Sequence, residues 1–333
     1  LRSLAIRLLT IIFLLLFVKQ PGDVLPYLLI SVLSIVSGHI WNLFYALGKI
    51  RFIFKALAFT KHLTPIFLIF LMNVCISMYT VFDTSWVGFL STSSAVGMYT
   101  SAIKLAKIAI PLVTTLGLVL IPRSARAFAA NISNPQHLNT SFNFIVDTSV
   151  PICVGLFLLS PELLRLFSGD AFMDALWAMR LLSFLPLLIG LSNLFGMQIL
   201  SASGHDKALL FCVFIGMVLN IAINIWLVPL YAHNGAAIAM FVAEVSVTLA
   251  TFIAVQAKFN LKFQFMRLLK SFGISLLFIP CIMFLHYMFA NNSAIILSGI
   301  LICGLIYIAM QHLLFRNEFI LLGLNLFRQK LNK

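Results

Sequence analysis

The sequence contains very little charge for its length. Charged residues make up 9% of the 333 residues and hydrophobic residues 62%, whereas about a quarter of a soluble domain is charged. This composition excludes an ordinary soluble fold. Its long apolar segments can each cross a bilayer as a helix, which takes about 20 residues. We therefore predict an all-α, polytopic transmembrane helix bundle.

Several kinds of functional site are also missing. No nucleotide-binding motif is present, and no loop is long enough to form a catalytic domain. No disulfide framework or metal-ligand spacing is visible either, because all the cysteines lie in apolar stretches; they are Cys75, Cys153, Cys212, Cys281 and Cys303. We predict a transporter or channel rather than an enzyme, with no catalytic residues, no metal and no cofactor.

Apolar segments divide the chain into about ten predicted spans. They are approximately 4–18, 24–47, 63–90, 94–121, 142–167, 176–201, 208–231, 235–257, 272–290 and 294–315. The chain begins at Leu1, almost directly inside the first of them and without an initiator Met. We therefore expect a fragment of a longer protein.

The Lys and Arg residues are distributed along the sequence as in a helical membrane protein. A net charge of +13 could indicate nucleic-acid binding, but most of the 22 Lys and Arg residues lie in alternate loops. Cytoplasmic loops are the ones enriched in Lys and Arg. This pattern predicts no nucleic-acid partner and places both termini of this chain in the cytoplasm.

Two lysines lie inside the fourth predicted span. Lys104 and Lys107 are one turn apart, and Thr100 and Pro111 continue the same helix face. A cation at the centre of a bilayer costs roughly 2.5–3.5 kcal/mol on insertion scales. We therefore predict that these lysines face a polar cavity that handles an anionic group. Pro111 is interpreted either as an ordinary transmembrane proline or as a bend used in alternating access.

The third predicted span has a matching polar face. Asn73, Ser77, Thr80 and Thr84 recur at helical spacing, with Asp83 beside them, and a polar stripe in a membrane must face protein or water. Counting residues from the turn near 91–93 brings Asp83 close to the level of Lys104. We predict an Asp83–Lys104 pair; the alternative is that each side chain is solvated separately.

A second polar pair is predicted between the seventh and eighth spans. Asn220 and Asn224 share a helix face, and Glu244 falls at a level between them. One interpretation is an amide–carboxyl clamp that locks the two helices together. The other is a proton or cation site that couples transport to an ion.

Two groups of residues make the chain resemble a known family. The first group runs Tyr79, Asp83, Gly88-Phe89-Leu90, Ala95-Val96-Gly97-x-Tyr99 and Ala102-Ile103-Lys104. The second runs Gln198-x-x-Ser201-x-x-Gly204-x-x-Lys207, Gly216, Asn220, Asn224, Leu227-x-Pro229-x-Tyr231, Gly235-Ala236-Ala237-x-Ala239 and Glu244. In order and spacing they resemble the bacterial O-antigen and polysaccharide flippases (Wzx type) of the MATE-like MOP transporter superfamily.

The resemblance implies a two-lobe architecture around a central cavity, here lacking the first four helices. Residues 1–47 would be the last two helices of the N-terminal lobe, and 48–62 a basic cytoplasmic linker between the lobes. Residues 63–257 would form the C-terminal six-helix lobe. Residues 258–333 would hold a linker, two extra helices and a basic tail.

The resemblance also implies a function. An undecaprenyl-pyrophosphate-linked oligosaccharide would move from the cytoplasmic to the periplasmic leaflet of the bacterial plasma membrane by alternating access. Its partners would be this lipid, membrane lipids and other polysaccharide assembly proteins. The family pattern covers Lys104, whereas Lys107 is added from spacing alone; Asp83, Asn73 and Glu244 are further cavity or coupling candidates.

Three alternatives stay open from the sequence. A MATE-type drug or cation antiporter is expected to have an anionic cavity, against which both lysines argue. A membrane polysaccharide polymerase or glycosyltransferase is expected to have a large outer loop, which the sequence lacks. The last alternative is a truncated product without a function.

Overall fold

A computed structural model describes residues 2–20, 23–48, 59–130, 136–289 and 291–315. The described chain is helical nearly throughout. Its α-helices are α1 (Arg2–Phe17), α2 (Val24–Leu47), α3 (Phe59–Thr80), α4 (Phe82–Leu90), α5 (Ser93–Lys107), α6 (Ile110–Ala129), α7 (Gln136–Leu158), α8 (Ser160–Phe167), α9 (Leu176–Leu182), α10 (Leu185–Asn193), α11 (Asp206–Phe259), α12 (Met266–Ser275), α13 (Phe278–Met288) and α14 (Asn292–Phe315). A 3₁₀-helix (Asp170–Ala175) precedes α9, and a π-helix (Leu194–Ser201) follows α10.

The chain divides into two compact units, Leu1–His62 and Leu63–Lys333. Residues 49–58 of the predicted basic linker 48–62 and the whole predicted basic tail 316–333 lie outside the described residues, and α3 begins within the linker at Phe59. The roles assigned to 1–47, 63–257 and 258–333 as parts of two lobes stay predictions.

In the first unit, α1 and α2 form an antiparallel hairpin. The Thr10 hydroxyl donates to Ser34 Oγ at 2.6 Å, and Gly38 lies against Ile6. The carboxylate of Asp23 closes the connecting turn by accepting the backbone N–H groups of Lys19 and Gln20, each at 3.0 Å. These two hydrogen bonds lower the pKa of the Asp23 carboxyl from its usual value.

The second unit begins with a broken span. α3 and α4 meet at an angle of 42° at Val81, although the sequence predicts one continuous span over 63–90. One face of the pair is buried, and its residues recur at helical spacing: Met72, Cys75, Tyr79, Asp83 and Val87. Asp83 thus enters the interior from the first turn of α4, where a carboxylate is favoured by the helix dipole.

The fourth predicted span is also divided. α5 and α6 are separated at Ile108 and Ala109. Here the backbone forms hydrogen bonds three residues apart, from Ile108 N–H to Leu105 O and from Leu112 N–H to Ala109 O. Pro111 follows this break and has no N–H to continue the α-helical ladder. The proline therefore coincides with a local distortion; its use as a moving bend stays a prediction.

α11 is a helical hairpin rather than one long rod. Ala232 has φ 49° and ψ −125°, which interrupts the helix. A Cβ on Gly235 would lie 2.4 Å from Leu227 O, and one on Gly216 would lie 2.3 Å from a Val247 methyl. The two arms, 206–231 and 233–259, therefore run antiparallel in close contact, which confirms the turn predicted between 231 and 235.

The remaining helices complete the second unit. α7, α9 and α10 pack with α6 and α11 around the main apolar core, and α12 packs on α7. α13 and α14 pack together, and with residues at the end of α7 they form a second apolar cluster.

Within the described residues, seven helices are long and apolar enough to cross a membrane, or eight when the bent α3–α4 pair counts as one span. The 54-residue α11 is one of the seven, yet its two arms correspond to two predicted spans. The apolar part of α1, 5–17, is shorter than the others. The predicted all-α transmembrane bundle is confirmed.

Candidate functional site

Asp83 is the centre of a buried polar cluster. Only 1% of the residue is exposed. Its Oδ2 accepts the Tyr99 hydroxyl at 2.5 Å, and its Oδ1 accepts the side-chain amides of Asn220 and Asn224 at 3.1 and 2.8 Å. Three donors therefore hold one carboxylate, which satisfies the requirement that a buried charge be hydrogen-bonded. The cluster joins α4, α5 and the first arm of α11.

Each donor reaches Asp83 through local sequence. Tyr99 follows Ala95 by one turn on the buried face of α5, where small side chains admit the neighbouring helices. Asn220 and Asn224 are also one turn apart, and the Asn224 amide donates to the Asn220 side-chain oxygen at 3.0 Å. This spacing aligns both amides with one carboxylate.

The predicted Asp83–Lys104 pair is wrong. Asp83 points into the interior with Tyr99 and the two asparagines, whereas Lys104 is exposed. Matching depth along the membrane normal says nothing of which way a side chain faces: Asp83 continues the buried face that carries Tyr79, whereas Lys104 lies on the exposed face of α5.

The predicted amide–carboxyl clamp exists, but with a different carboxylate. Asn220 and Asn224 donate to Asp83 on α4 and not to Glu244 on the second arm of α11. Glu244 is 3% exposed, and its carboxyl accepts no hydrogen bond from a described residue. The clamp therefore holds α11 to α4 rather than one arm of α11 to the other.

Lys107 is the cation associated with these carboxylates. It is half-buried, and its ammonium interacts electrostatically with Glu244 and Asp83 without a direct ion pair to either. Two carboxylates and one ammonium thus share the region between α4, α5 and α11. Lys104, one turn earlier, belongs to the exposed face.

The two predicted polar stripes lie on the outer side of the second unit. Asn73 is exposed and donates to Ile69 O at 2.8 Å, and Thr100 is half-buried. Together with Lys104 they leave a polar surface on helices that are otherwise apolar. The structure therefore brings together Asp83, Lys107, Glu244, Asn220 and Asn224. It leaves Asn73, Thr100 and Lys104 on the surface.

A second polar cluster was not predicted from the sequence. Arg267 on α12 binds both carboxylate oxygens of Asp147 on α7, with Nη2 at 2.5 Å from Oδ2. Ser271 and Gln311 donate to the same carboxylate, each at 3.2 Å. Asp147 is the residue that could have indicated this cluster from the sequence, because an acidic residue inside an apolar span requires a partner.

This cluster stands at one end of an apolar cavity. The cavity has a volume of about 640 Å³ and lies between α6, α7, α8, α13 and α14. Its walls include Leu112, Ile152, Leu156, Phe278 and Ile300. Its lining suits an apolar chain.

The described residues offer no metal centre. They contain no group of three or more His, Cys, Asp or Glu side chains that could hold an ion. Asp83 is held by two amides and a phenol, which is the chemistry of a structural clamp.

Comparisons with known proteins agree with this arrangement of helices. Residues 69–226 match the MatE family model. The matching segment makes up a little under half of the chain. It covers α4–α10, part of α3 and most of the first arm of α11, and therefore includes Asp83, Lys104, Lys107 and both clamp asparagines, while Glu244 lies beyond it.

One curated relative is named "Putative O-antigen transporter" in Escherichia coli (strain K12). It is 22% identical over 233 residues, which make up 70% of this chain and 54% of the relative. The chain thus spans about half the length of this transporter.

A solved structure named lipid II flippase MurJ, in an inward closed conformation, shares the fold. It superposes with a TM-score of 0.68 at 19% identity, covering 88% of this chain and 62% of MurJ. The predicted resemblance to a MATE-like flippase is confirmed. These relatives are transporters and flippases rather than enzymes, as the sequence predicts.

Proposed function

We propose that this chain, with its segment matching the MatE family model, works in a protein that moves an undecaprenyl-pyrophosphate-linked oligosaccharide from the cytoplasmic to the periplasmic leaflet by alternating access. The protein would be a multi-pass component of a bacterial plasma membrane, with both termini of this chain in the cytoplasm. Its partners would be membrane lipids and other proteins that assemble surface polysaccharide.

One observation supports this proposal most directly. Lys104 is exposed on a transmembrane helix while the nearby acidic groups are already engaged: Asp83 by three donors and Glu244 by its interaction with Lys107. An ammonium group without a close carboxylate in a membrane favours an anionic ligand. The pyrophosphate of the proposed substrate has that chemistry.

The apolar part of the substrate also has a counterpart. A polyprenyl tail is a chain of hydrocarbon, and the cavity of about 640 Å³ beside α7 and α14 has apolar walls. Thr100, one turn before Lys104 on α5, and Asn73, exposed on α3, would contact hydroxyl-rich sugars. The substrate would thus be divided between an apolar cavity and a polar surface.

We assign ion coupling to Glu244. Its carboxyl is buried, lacks a hydrogen-bond donor among the described residues, and interacts with the Lys107 ammonium. A buried carboxylate with so few partners is suited to exchange of a cation. Asn220 and Asn224 would act with Asp83 as the clamp that keeps α11 in place during this exchange.

A drug or cation antiporter of the MATE type is the second candidate, because MatE is the matching family model. Its substrates would be organic cations, which Lys104 would repel. Efflux of a cationic dye that is independent of Lys104 would support this candidate. A membrane polymerase or glycosyltransferase has no support among the comparisons.

The proposal is tested by complementation of a flippase-null strain with the native gene that encodes this chain. Lys104→Gln should reduce surface glycan at least tenfold, and Lys104→Arg should retain it, because arginine keeps the positive charge. Lys258→Gln is the matched control, since Lys258 is exposed at the end of α11. Full surface glycan with Lys104→Gln would reject the role of Lys104.

A further inference from the structure

Glu162 on α8 and His286 on α13 form a half-buried contact that the proposed function does not use. The Glu162 carboxyl is almost fully enclosed, with 3% of the residue exposed. Its Oε1 lies 2.7 Å from His286 Nε2, and its Oε2 has no partner among the described residues. The histidine side chain is 45% exposed and lies two residues before the end of α13 at Met288.

The second ring nitrogen fixes the protonation of the histidine. His286 Nδ1 lies 2.8 Å from the backbone oxygen of Ile282. A carbonyl oxygen can only accept a hydrogen bond, so Nδ1 must be the protonated nitrogen. In the neutral ring Nε2 is then an acceptor.

This leaves one proton to be placed between Nε2 and Oε1. At 2.7 Å the contact needs a proton, either on Nε2, giving an imidazolium beside a carboxylate, or on Oε1, giving a neutral ring beside a carboxylic acid. If that proton is removed, a lone pair and a carboxylate face each other at hydrogen-bond distance. The contact then becomes repulsive, and α13 loses its polar attachment to α8.

Two neighbouring arginines make their contacts elsewhere. Arg165, on the same helix, binds Asp170 at 3.3 Å. Arg180, on α9, lies 5.3 Å from the ring of Phe157. The other titratable or charged residues on α8, α13 or the helices that pack against them are Asp174, Tyr99, Lys104, Lys107, His137, Asp147, Cys153, Cys281, Tyr287, Cys303, Tyr307 and His312. In the described part of the chain, Glu162 is the acidic partner of His286.

We propose that Glu162 and His286 form a binding site for one exchangeable proton, and that the bound proton fastens α13 to α8. The site is filled at low pH and empties as the pH rises. α13 belongs to the pair of helices beside the apolar cavity, so loss of the proton would loosen one wall of that cavity. The proposal does not depend on the identity of any transported substrate.

Thermal unfolding of the full chain in lipid nanodiscs, measured at about pH 6 and about pH 9, tests the site. The wild-type midpoint should fall by about 2–4 °C at the higher pH, the change expected from losing one modest hydrogen bond. Glu162→Gln should remove this fall, because its amide donates to Nε2 at either pH. His286→Gln should also remove it, because its amide donates to the carboxylate.

His312→Gln is the matched control, since His312 is exposed on the adjoining helix α14. It should keep the wild-type dependence on pH. An equal fall in the wild-type chain and in both Gln variants would overturn the proposal.

The protonation can also be observed directly in the wild-type chain. With ¹⁵N-labelled histidine, the His286 Nε2 signal should change from hydrogen-bonded to unprotonated over the same pH interval, and Glu162→Gln should abolish that change. A His286 signal that stays constant between the two pH values would contradict the proposal even if a variant failed to fold.

Discussion

Replacing Asp83 by alanine should destabilise the second unit more than any loss of a surface charge. The change leaves the Tyr99 hydroxyl and the amides of Asn220 and Asn224 without their acceptor. Each unsatisfied buried donor costs about 1–3 kcal/mol in soluble proteins, whereas hydrogen bonds measured between membrane helices average about 0.6 kcal/mol. Three such bonds give an expected loss of about 2–5 kcal/mol in the free energy of unfolding.

The assay is thermal unfolding of the purified chain in detergent, followed by circular dichroism. A loss of this size should lower the midpoint by about 5–10 °C. Asp170→Ala provides the control, because Asp170 is exposed and its ion pair with Arg165 is worth at most about 1 kcal/mol.

A double-mutant cycle then separates one contact from the others. Tyr99→Phe removes only the hydroxyl, so its effect should shrink when Asp83 is already alanine. If Asp83→Ala costs no more than Asp170→Ala, or if the Tyr99 and Asp83 effects simply add, the buried cluster does not have the energetic role described above.

Two further predictions concern the α11 hairpin. Ala232→Gly should raise the thermal midpoint by a few degrees, because φ 49° with ψ −125° favours glycine by about 1 kcal/mol. Ala257→Gly is the control: Ala257 is exposed in a regular part of the helix, so this change should lower the thermal midpoint. A lower midpoint for Ala232→Gly would mean that this residue is unstrained. Gly235→Ala should cost about 1–3 kcal/mol, because its Cβ would meet Leu227 O at 2.4 Å. Gly155→Ala, with open space around it, should not destabilise the chain, and equal losses at the two glycines would contradict the close packing of the hairpin.

The sequence predicted the helices better than their breaks. The apolar run 24–47 coincides with α2, and the turn between 231 and 235 is present, because hydrophobic length and turn residues are local signals. The bend at Val81 was missed, since no proline or glycine marks that position. The interruption at Leu159 was also missed, although Pro161 follows it in the first turn of α8.

Site prediction failed where it depended on partners distant in sequence. Asp83 was recognised, but its amide partners are 137 and 141 residues away, and helical spacing alone could not choose between them and Lys104. Tyr99 was part of the family pattern without an assigned role. Asp147 was overlooked, although its acidic side chain in an apolar span called for a partner such as Arg267.

Binding of an isolated lipid tests the central claim most directly. Native mass spectrometry of the full protein should detect undecaprenyl pyrophosphate bound at least tenfold more tightly than undecaprenol, because only the former presents a phosphate to Lys104. Lys104→Gln should abolish this preference and Lys258→Gln should keep it. Equal binding of the two lipids to the native protein, or an unchanged preference in Lys104→Gln, would contradict the account.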